Sequence, residues 1–344
     1  MQTCNLALLG FGNVGQALVR LLTRKTDELR QRYGLEWRLT GVSTRRYGWL
    51  ADPAGLNVEA LLAQASEPKI QNLQSKIKNP YEALRDWLND ARPEVLFEVT
   101  SLNPQSGQPA IGHIRAGLEY GAHVVTANKG PVVFAYKELR DLAVKRGKRF
   151  MFESTVMDGA PIFSLFREAL PAANLLRFRG VLNSTTNFIL TQMETGRSFE
   201  EAVDEAKAIG IAETNPVLDL DGWDAAVKVS ALATVLMDIP LKPSDIQRQG
   251  IGQLRTEMVQ AARAEGKPYK LVCRAERQGQ QVAASIRPEQ VPLADPLASV
   301  SGTSSIVHFE LDTLPGLTIT EHDPTPETTA YGLLADFINA TRDR

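Results

Sequence analysis

Asp224 and Lys228 stand four residues apart in DGWDAAVKVSALATVLM, residues 221–237, a stretch otherwise dominated by Ala, Val, Leu and Met. At that spacing the two side chains share one face of a helix. A helix that is apolar round most of its circumference is an interior one, and a lysine on it is either paired or has a lowered pKa. Such an ammonium can stabilise the negative charge that grows on a carbonyl oxygen receiving hydride, and can supply its proton. The alternative is a buried ion pair with a structural role alone. The preceding segment, AETNPVLDLDGWD, adds Glu213, Asp219 and Asp221 between two helical patterns. Carboxylates clustered in this way can hold a substrate ammonium, bind a metal or cap a helix, and Asp221 is expected at the N-cap of the helix that follows.

A second stretch points to a nucleotide. GFGNVG, Gly10 to Gly15, follows the apolar run NLALL and opens a helical pattern. Glycines at G-x-G-x-x-G spacing allow a tight turn and let main-chain N–H groups approach a pyrophosphate, so Gly10, Gly12, Asn13, Val14 and Gly15 are candidate cofactor contacts. An acidic residue at the tip of the second strand would bind the ribose 2′-hydroxyl of NAD, but the tip reads Ser43-Thr44-Arg45-Arg46. Ser43, Arg45 and Arg46 suit a 2′-phosphate, because guanidinium groups fork phosphate oxygens, and NADP is therefore preferred with NAD as the alternative. The competing reading of the arginines is a pair of solvated loop charges. Thr100 and Ser101 end one later strand pattern and Asn128 and Lys129 end the next. Both pairs are expected at the carboxyl edge of the sheet, where ligands of open α/β folds bind; Lys129 can equally be an ordinary helix-start lysine.

These residues need a frame. Strand patterns at residues 5–9, 37–44, 95–100, 123–128 and 149–155 alternate with helical patterns in the first half of the chain. That alternation predicts βαβ units on a parallel sheet. The fold class expected is α/β: an N-terminal Rossmann-type doubly wound parallel sheet over residues 1–148, then an α+β mixed-sheet substrate and dimerisation domain over 149–320. A C-terminal helix, 321–344, returns to the first domain. In the second domain Ser198 and Glu201 form a capping-box signature before a helix that Gly210 should end.

With 38 basic and 40 acidic residues among 344, the net charge is −2, and no basic run marks a nucleic-acid partner. A small-molecule substrate is expected instead. No apolar run reaches the ~20 residues of a membrane span. The N-terminus enters a strand pattern at once, and two isolated cysteines, Cys4 and Cys273, fit a reducing compartment, so a cytoplasmic protein is expected.

Taken in order, GFGNVG, HIRAGLEYGAHVVTANKGP, FESTV, GVLNSTTNFIL and the G-x-x-E-x-x-P-x-x-D-x-x-G-x-D-x-x-x-K arrangement from Gly210 to Lys228 resemble the homoserine dehydrogenase family along nearly the whole chain. The resemblance implies a homodimer that interconverts L-homoserine and L-aspartate 4-semialdehyde with NADPH or NADH. It implies Lys228 as proton donor, Lys129 as a second catalytic lysine, and Glu213, Asp219 and Asp224 as substrate contacts. It further implies a monovalent cation at Glu153, Val156, Asp158 and Ala160, held largely by main-chain carbonyls. The chain departs from the family pattern at Met157-Asp158, at Ser184 and at Glu321-His322-Asp323-Pro324-Thr325, where relatives carry glycines. Those departures motivate two other readings: a dehydrogenase of the same fold acting on another small amino or hydroxy acid, and a non-catalytic NADP-binding sensor.

If the arginines read a 2′-phosphate, NADP(H) binds more tightly than NAD(H), and Arg45→Ala with Arg46→Ala removes most of a difference on the order of 1.5 to 3 kcal/mol. Nucleotide titration tests this, and equal affinities in the unmodified protein refute it.

Overall fold

In the computed structural model, which describes residues 2–44, 48–65, 80–212 and 215–342, the apolar N-terminal run forms strand β1 (Gln2–Leu9), with Leu6, Ala7 and Leu8 sealed from solvent. The chain divides into two compact units, Met1–Gly159 with Thr325–Arg344, and Ala160–Pro324.

In the first unit β1 is followed by α1 (Asn13–Arg24), α2 (Thr26–Tyr33), β2 (Leu35–Thr44), β3 (Gly48–Ala51), α3 (Val58–Ala65), α4 (Pro80–Ala91) and β4 (Val95–Glu98). Then come α5 (Ala110–Tyr120), β5 (His123–Thr126), α6 (Lys129–Lys145) and β6 (Phe150–Met151). The sheet order is β3-β2-β1-β4-β5-β6. Five strands are parallel, and their unbroken Val, Leu and Phe runs suit strands covered on both faces. The expectation of a wholly parallel sheet is corrected at its edge, where β3 turns back and pairs antiparallel with β2. Strand order reverses between β1 and β4, so the loops after these strands flank the crevice where such sheets bind ligands.

In the second unit a short helix, α7 (Ile162–Ser164), gives way to a π-helical turn, Leu165–Ala169. There follow β7 (Leu175–Val181), α8 (Ser184–Glu194), α9 (Phe199–Ala208), α10 (Val217–Leu220), α11 (Trp223–Leu236), β8 (Gln247–Arg248) and α12 (Thr256–Ala264). The remaining strands are β9 (Tyr269–Gln278), β10 (Gln281–Gln290), β11 (Ser305–Leu311) and β12 (Leu317–Glu321), in the order β12-β11-β7-β9-β10-β8. This sheet is mixed, antiparallel except where β8 runs parallel to β10. The capping box at Ser198 and Glu201 is present, and Gly210, with φ of 77°, lies two residues beyond the last turn of α9. Every residue of α11 from Ala225 to Thr234 is buried except Lys228.

The last helix, α13 (Pro326–Thr341), belongs to the first unit and packs on α1. Thr325 caps it, and Ala330, Leu333 and Phe337 enter the same core as Leu18, Leu22 and Phe97. Among the described residues no helix is long and apolar enough to cross a membrane.

Phe337 is fully buried and meets Phe97 edge-on, with centroids 6.2 Å apart. Phe337→Ala is expected to lower stability by about 3–5 kcal/mol through lost burial and the cavity left behind. Denaturant midpoints at unchanged slope check this.

Candidate active site

The glycine turn of the first unit assigns a separate task to each glycine. Gly10 has φ of 100°, and a Cβ there would lie 2.6 Å from the Val99 oxygen. A Cβ on Gly15 would lie 2.8 Å from the Gly10 oxygen, so this glycine brings α1 against the turn. A Cβ on Gly12 would meet nothing within 4 Å: its face is open, at the N-cap of α1, where no side chain caps the helix. That arrangement fits a pyrophosphate, which needs main-chain approach and a helix N-terminus. Asn13 and Val14 start the helix beside it. The Gly10 N–H donates to the Ser43 oxygen at 2.9 Å, which joins the turn to the tip of β2. Arg45 and Arg46, expected beyond that tip, lie outside the described residues, as does Glu213.

The loops after β4 and β5 are tied to each other. Asn128 caps α6 by accepting from the Gly130 N–H at 3.0 Å, and its Nδ2 donates to the oxygens of Thr100 at 3.1 Å and Ser101 at 3.4 Å. Lys129 is the first residue of α6, half-buried. The four residues expected at this edge of the sheet are therefore brought together.

Beyond β6, Glu153 begins a 3-10 turn with its main-chain N–H donating to Asp336 Oδ2 at 2.7 Å. Val156 is buried, and the Ala160 oxygen accepts from the Ile162 N–H at 2.9 Å. Asp158 takes the left-handed backbone, φ 32°, at a position where relatives are expected to carry glycine. Its Oδ1 accepts from Thr329 Oγ1 at 2.9 Å, so a side-chain bond supports a conformation that a non-glycine residue adopts at a cost of about 1–2 kcal/mol. Among the described residues no three His, Cys, Asp or Glu side chains are grouped as metal ligands, so a cation in this segment would rest on main-chain oxygens.

The second unit gathers Asp219, Asp224 and Lys228 around Asn183. Lys228 Nζ donates to the Leu182 oxygen at 2.6 Å and lies 3.6 Å from Asp224 Oδ2. Asn183 Nδ2 donates to the same Asp224 oxygen at 3.0 Å and to Asp219 Oδ1 at 2.7 Å, while its Oδ1 caps α8 by accepting from the Thr186 N–H. One amide thus holds two carboxylates together. Burial pushes the Asp219 carboxyl above its ordinary range, and repulsion from Asp224 adds to this; the Asn183 bond and Lys228 act in the opposite direction. The expected N-cap role of Asp221 is corrected: Asp221 ends α10, and Gly222, with φ of 75°, caps α11 without a side-chain bond. A left-handed residue directly before the helix suits glycine, which leaves the acid one position too early.

Two residues escaped the sequence reading. Asn183 was legible as a cap candidate, an Asn directly after a strand and ahead of Ser184-Thr185-Thr186, but its bridge between two acids was not. Glu98, the lone charge in VLFEVT, is completely buried.

A glycine-turn nucleotide site on a doubly wound sheet, with a lysine among carboxylates on a mixed-sheet unit, defines a dinucleotide-dependent oxidoreductase. Residues 10–153 match the family described as homoserine dehydrogenase, NAD binding domain, and residues 161–338 match the family described as homoserine dehydrogenase. The NAD(+)-dependent homoserine dehydrogenase of Pseudomonas canavaninivorans is 34% identical over 342 residues, 98% of this chain and 96% of its own. The homoserine dehydrogenase of Methanocaldococcus jannaschii is 34% identical over 337 residues, 97% of this chain and 98% of its own. The crystal structure of a putative homoserine dehydrogenase from Archaeoglobus fulgidus superposes with a TM-score of 0.84 at 29% identity, covering 98% of this chain and 99% of the other. The chain belongs to the homoserine dehydrogenase family and is an NAD(P)-dependent oxidoreductase.

A carboxyl whose folded pKa is raised gives stability that is fully present below its unfolded pKa, here 3.8, and is lost as pH rises through the folded value. Asp219→Asn is therefore expected to raise the Tm at pH 7. The gain should fade as pH falls through the raised pKa. Thermal unfolding across a pH series checks this, and a gain independent of pH contradicts the assignment.

Proposed function

We propose that the protein interconverts L-homoserine and L-aspartate 4-semialdehyde, prefers NADP(H) to NAD(H), and uses Lys228 as general acid and base. The observation that carries this reading is the Lys228 environment: a single ammonium on an otherwise buried helical run, 3.6 Å from the Asp224 carboxylate and hydrogen-bonded to the Leu182 oxygen.

A nicotinamide nucleotide held at the glycine turn would supply hydride chemistry at the carbon that changes oxidation state. In the reducing direction Lys228 donates a proton to the aldehyde oxygen as negative charge develops there; in the oxidising direction the neutral amine takes the hydroxyl proton. Asp224, with Asp219 and Glu213, holds the substrate's ammonium end, and the acid beside Lys228 compensates its charge while the proton moves. Lys129, at the start of α6, is assigned as the second catalytic lysine, and Thr100, Ser101 and Asn128 as cofactor contacts. The Pseudomonas relative is named for NAD(+), so the preference for NADP(H) rests on Arg45 and Arg46.

A cytoplasmic homodimer belongs to the same reading. It is supported by the free, buried cysteines Cys4 and Cys273, and by one face of the second sheet, where Arg177, Arg179, Arg274, Glu276 and Glu310 line a shallow cavity of 630 Å³. A face of mixed charge can be self-complementary about a two-fold axis. Sedimentation of the full chain reads the oligomeric state.

Reduction of NADP in the presence of L-homoserine, beside a panel of other hydroxy and amino acids, tests the substrate. Lys228→Arg and Lys228→Ala are expected to bind NADP(H) normally and lose at least ~100-fold in kcat, the lower end of what a general acid contributes. Arginine keeps the charge but does not release its proton. A near-native kcat in Lys228→Met, with only the Tm altered, would show the Asp224–Lys228 pair to be structural.

A further inference from the structure

Glu98 ends β4 with its side chain wholly excluded from solvent. A carboxylate removed from water costs several kcal/mol unless donors surround it. Here the donors come from three elements. Oε1 accepts from the Thr100 N–H at 3.3 Å and from the Thr100 hydroxyl in a short bond, and it lies 3.4 Å from His113 Nδ1 on α5. Oε2 accepts from Thr126 Oγ1 at 3.2 Å, a hydroxyl also 2.8 Å from the Glu98 main-chain oxygen. That hydroxyl in turn accepts from the Asn128 N–H at 2.9 Å. The Asn128 side chain closes the circuit by donating to the oxygens of Thr100 and Ser101.

A wholly apolar residue would serve better at this point if packing alone were needed, since its neighbours Leu96 and Phe97 on the same strand are as deeply buried. What the carboxylate adds is a fixed register between two loops at the carboxyl edge of the sheet. We propose that Glu98 is a positioning residue of the first unit: its buried carboxylate locks the Thr100–Ser101 loop to the Asn128–Lys129 loop and so sets where the nucleotide contacts and Lys129 stand. This rests on the reading of those four residues as cofactor and catalytic contacts. In this role Glu98 acts through Thr100 and Thr126. His113 reaches Oε1, the oxygen that Thr100 also meets, only by a long contact of 3.4 Å, so the two threonines carry most of the linkage.

Glu98→Gln, Glu98→Leu and Thr126→Val in the full chain test this, each measured for NADPH affinity by fluorescence titration, for kcat and KM with L-homoserine, and for Tm. Leucine removes every acceptor. Glutamine keeps one oxygen for Thr100 and offers an amide donor to the Thr126 hydroxyl, which can then donate to the main-chain oxygen of residue 98. Misplacing reacting groups by about 1 Å costs on the order of 100-fold, so Glu98→Leu is expected to lose about that in kcat per folded molecule and about tenfold in NADPH affinity. Glu98→Gln is expected to recover to within about fivefold, and Thr126→Val to lose about tenfold in kcat. Unchanged affinity and kcat in folded Glu98→Leu overturn the proposal, as does Gln damage equal to that of Leu. If Glu98→Leu does not fold, Thr126→Val decides, and wild-type behaviour there overturns it. If the unmodified protein oxidises no homoserine, NADPH affinities alone judge Glu98, so a failure of the substrate reading is seen separately.

Discussion

Charge taken out of water must be met by donors of fixed geometry, and both units of this protein face that requirement: the first at the carboxyl end of β4, the second around Asn183, two residues beyond β7. In the first unit Glu98, sealed from solvent, is met by Thr100, Thr126 and His113. In the second, Asp219 and Asp224 are met by one Asn183 amide and by Lys228. Remove the donors and each carboxylate would be left buried without partners, a cost that would loosen the loops around it. The same constraint acts on Asp219: burial pushes its carboxyl above the ordinary range and repulsion from Asp224 adds to this, while the Asn183 amide and the Lys228 ammonium act in the opposite direction.

The glycine turn answers a different constraint, that of room. Gly10 and Gly15 are fixed by backbone within 3 Å of where a side chain would begin, whereas Gly12 faces open space. Asp158 shows the opposite solution. It occupies a left-handed conformation with a side chain present, and the Thr329 hydroxyl supports it from α13. The last helix is therefore more than a lid on the core shared by Phe337 and Phe97: through Thr329 and Asp336 it also fixes the backbone between Glu153 and Asp158.

Membership of the homoserine dehydrogenase family is carried by both halves of the chain, with separate matches to the nucleotide-binding and the second domain. The residues proposed to do chemistry are likewise divided: the glycine turn and Lys129 on one unit, Lys228 with its carboxylates on the other. Lys228 is the one position between Ala225 and Thr234 where burial is incomplete.

The sequence by itself determined the class of each unit, because hydrophobic period and glycine spacing are local signals. GFGNVG after an apolar strand, the alternation of strand and helix to residue 151, the capping box at Ser198 and the shared face of Asp224 and Lys228 were all legible from neighbours within a turn or two. The antiparallel edge strand β3 was not, since it follows β2 after only three residues and has no strand–helix alternation of its own to mark it. Nor was the cap of α11, where a left-handed Gly222 displaced Asp221. The roles of Asn183 and Glu98 were decided only by tertiary structure. Asn183 meets Asp219 and Asp224 from 36 and 41 residues away, and Glu98 meets Thr126 from 28. Hydrogen-bond partners at such separations are chosen by how strands and helices pack, and no periodicity in the chain records that choice.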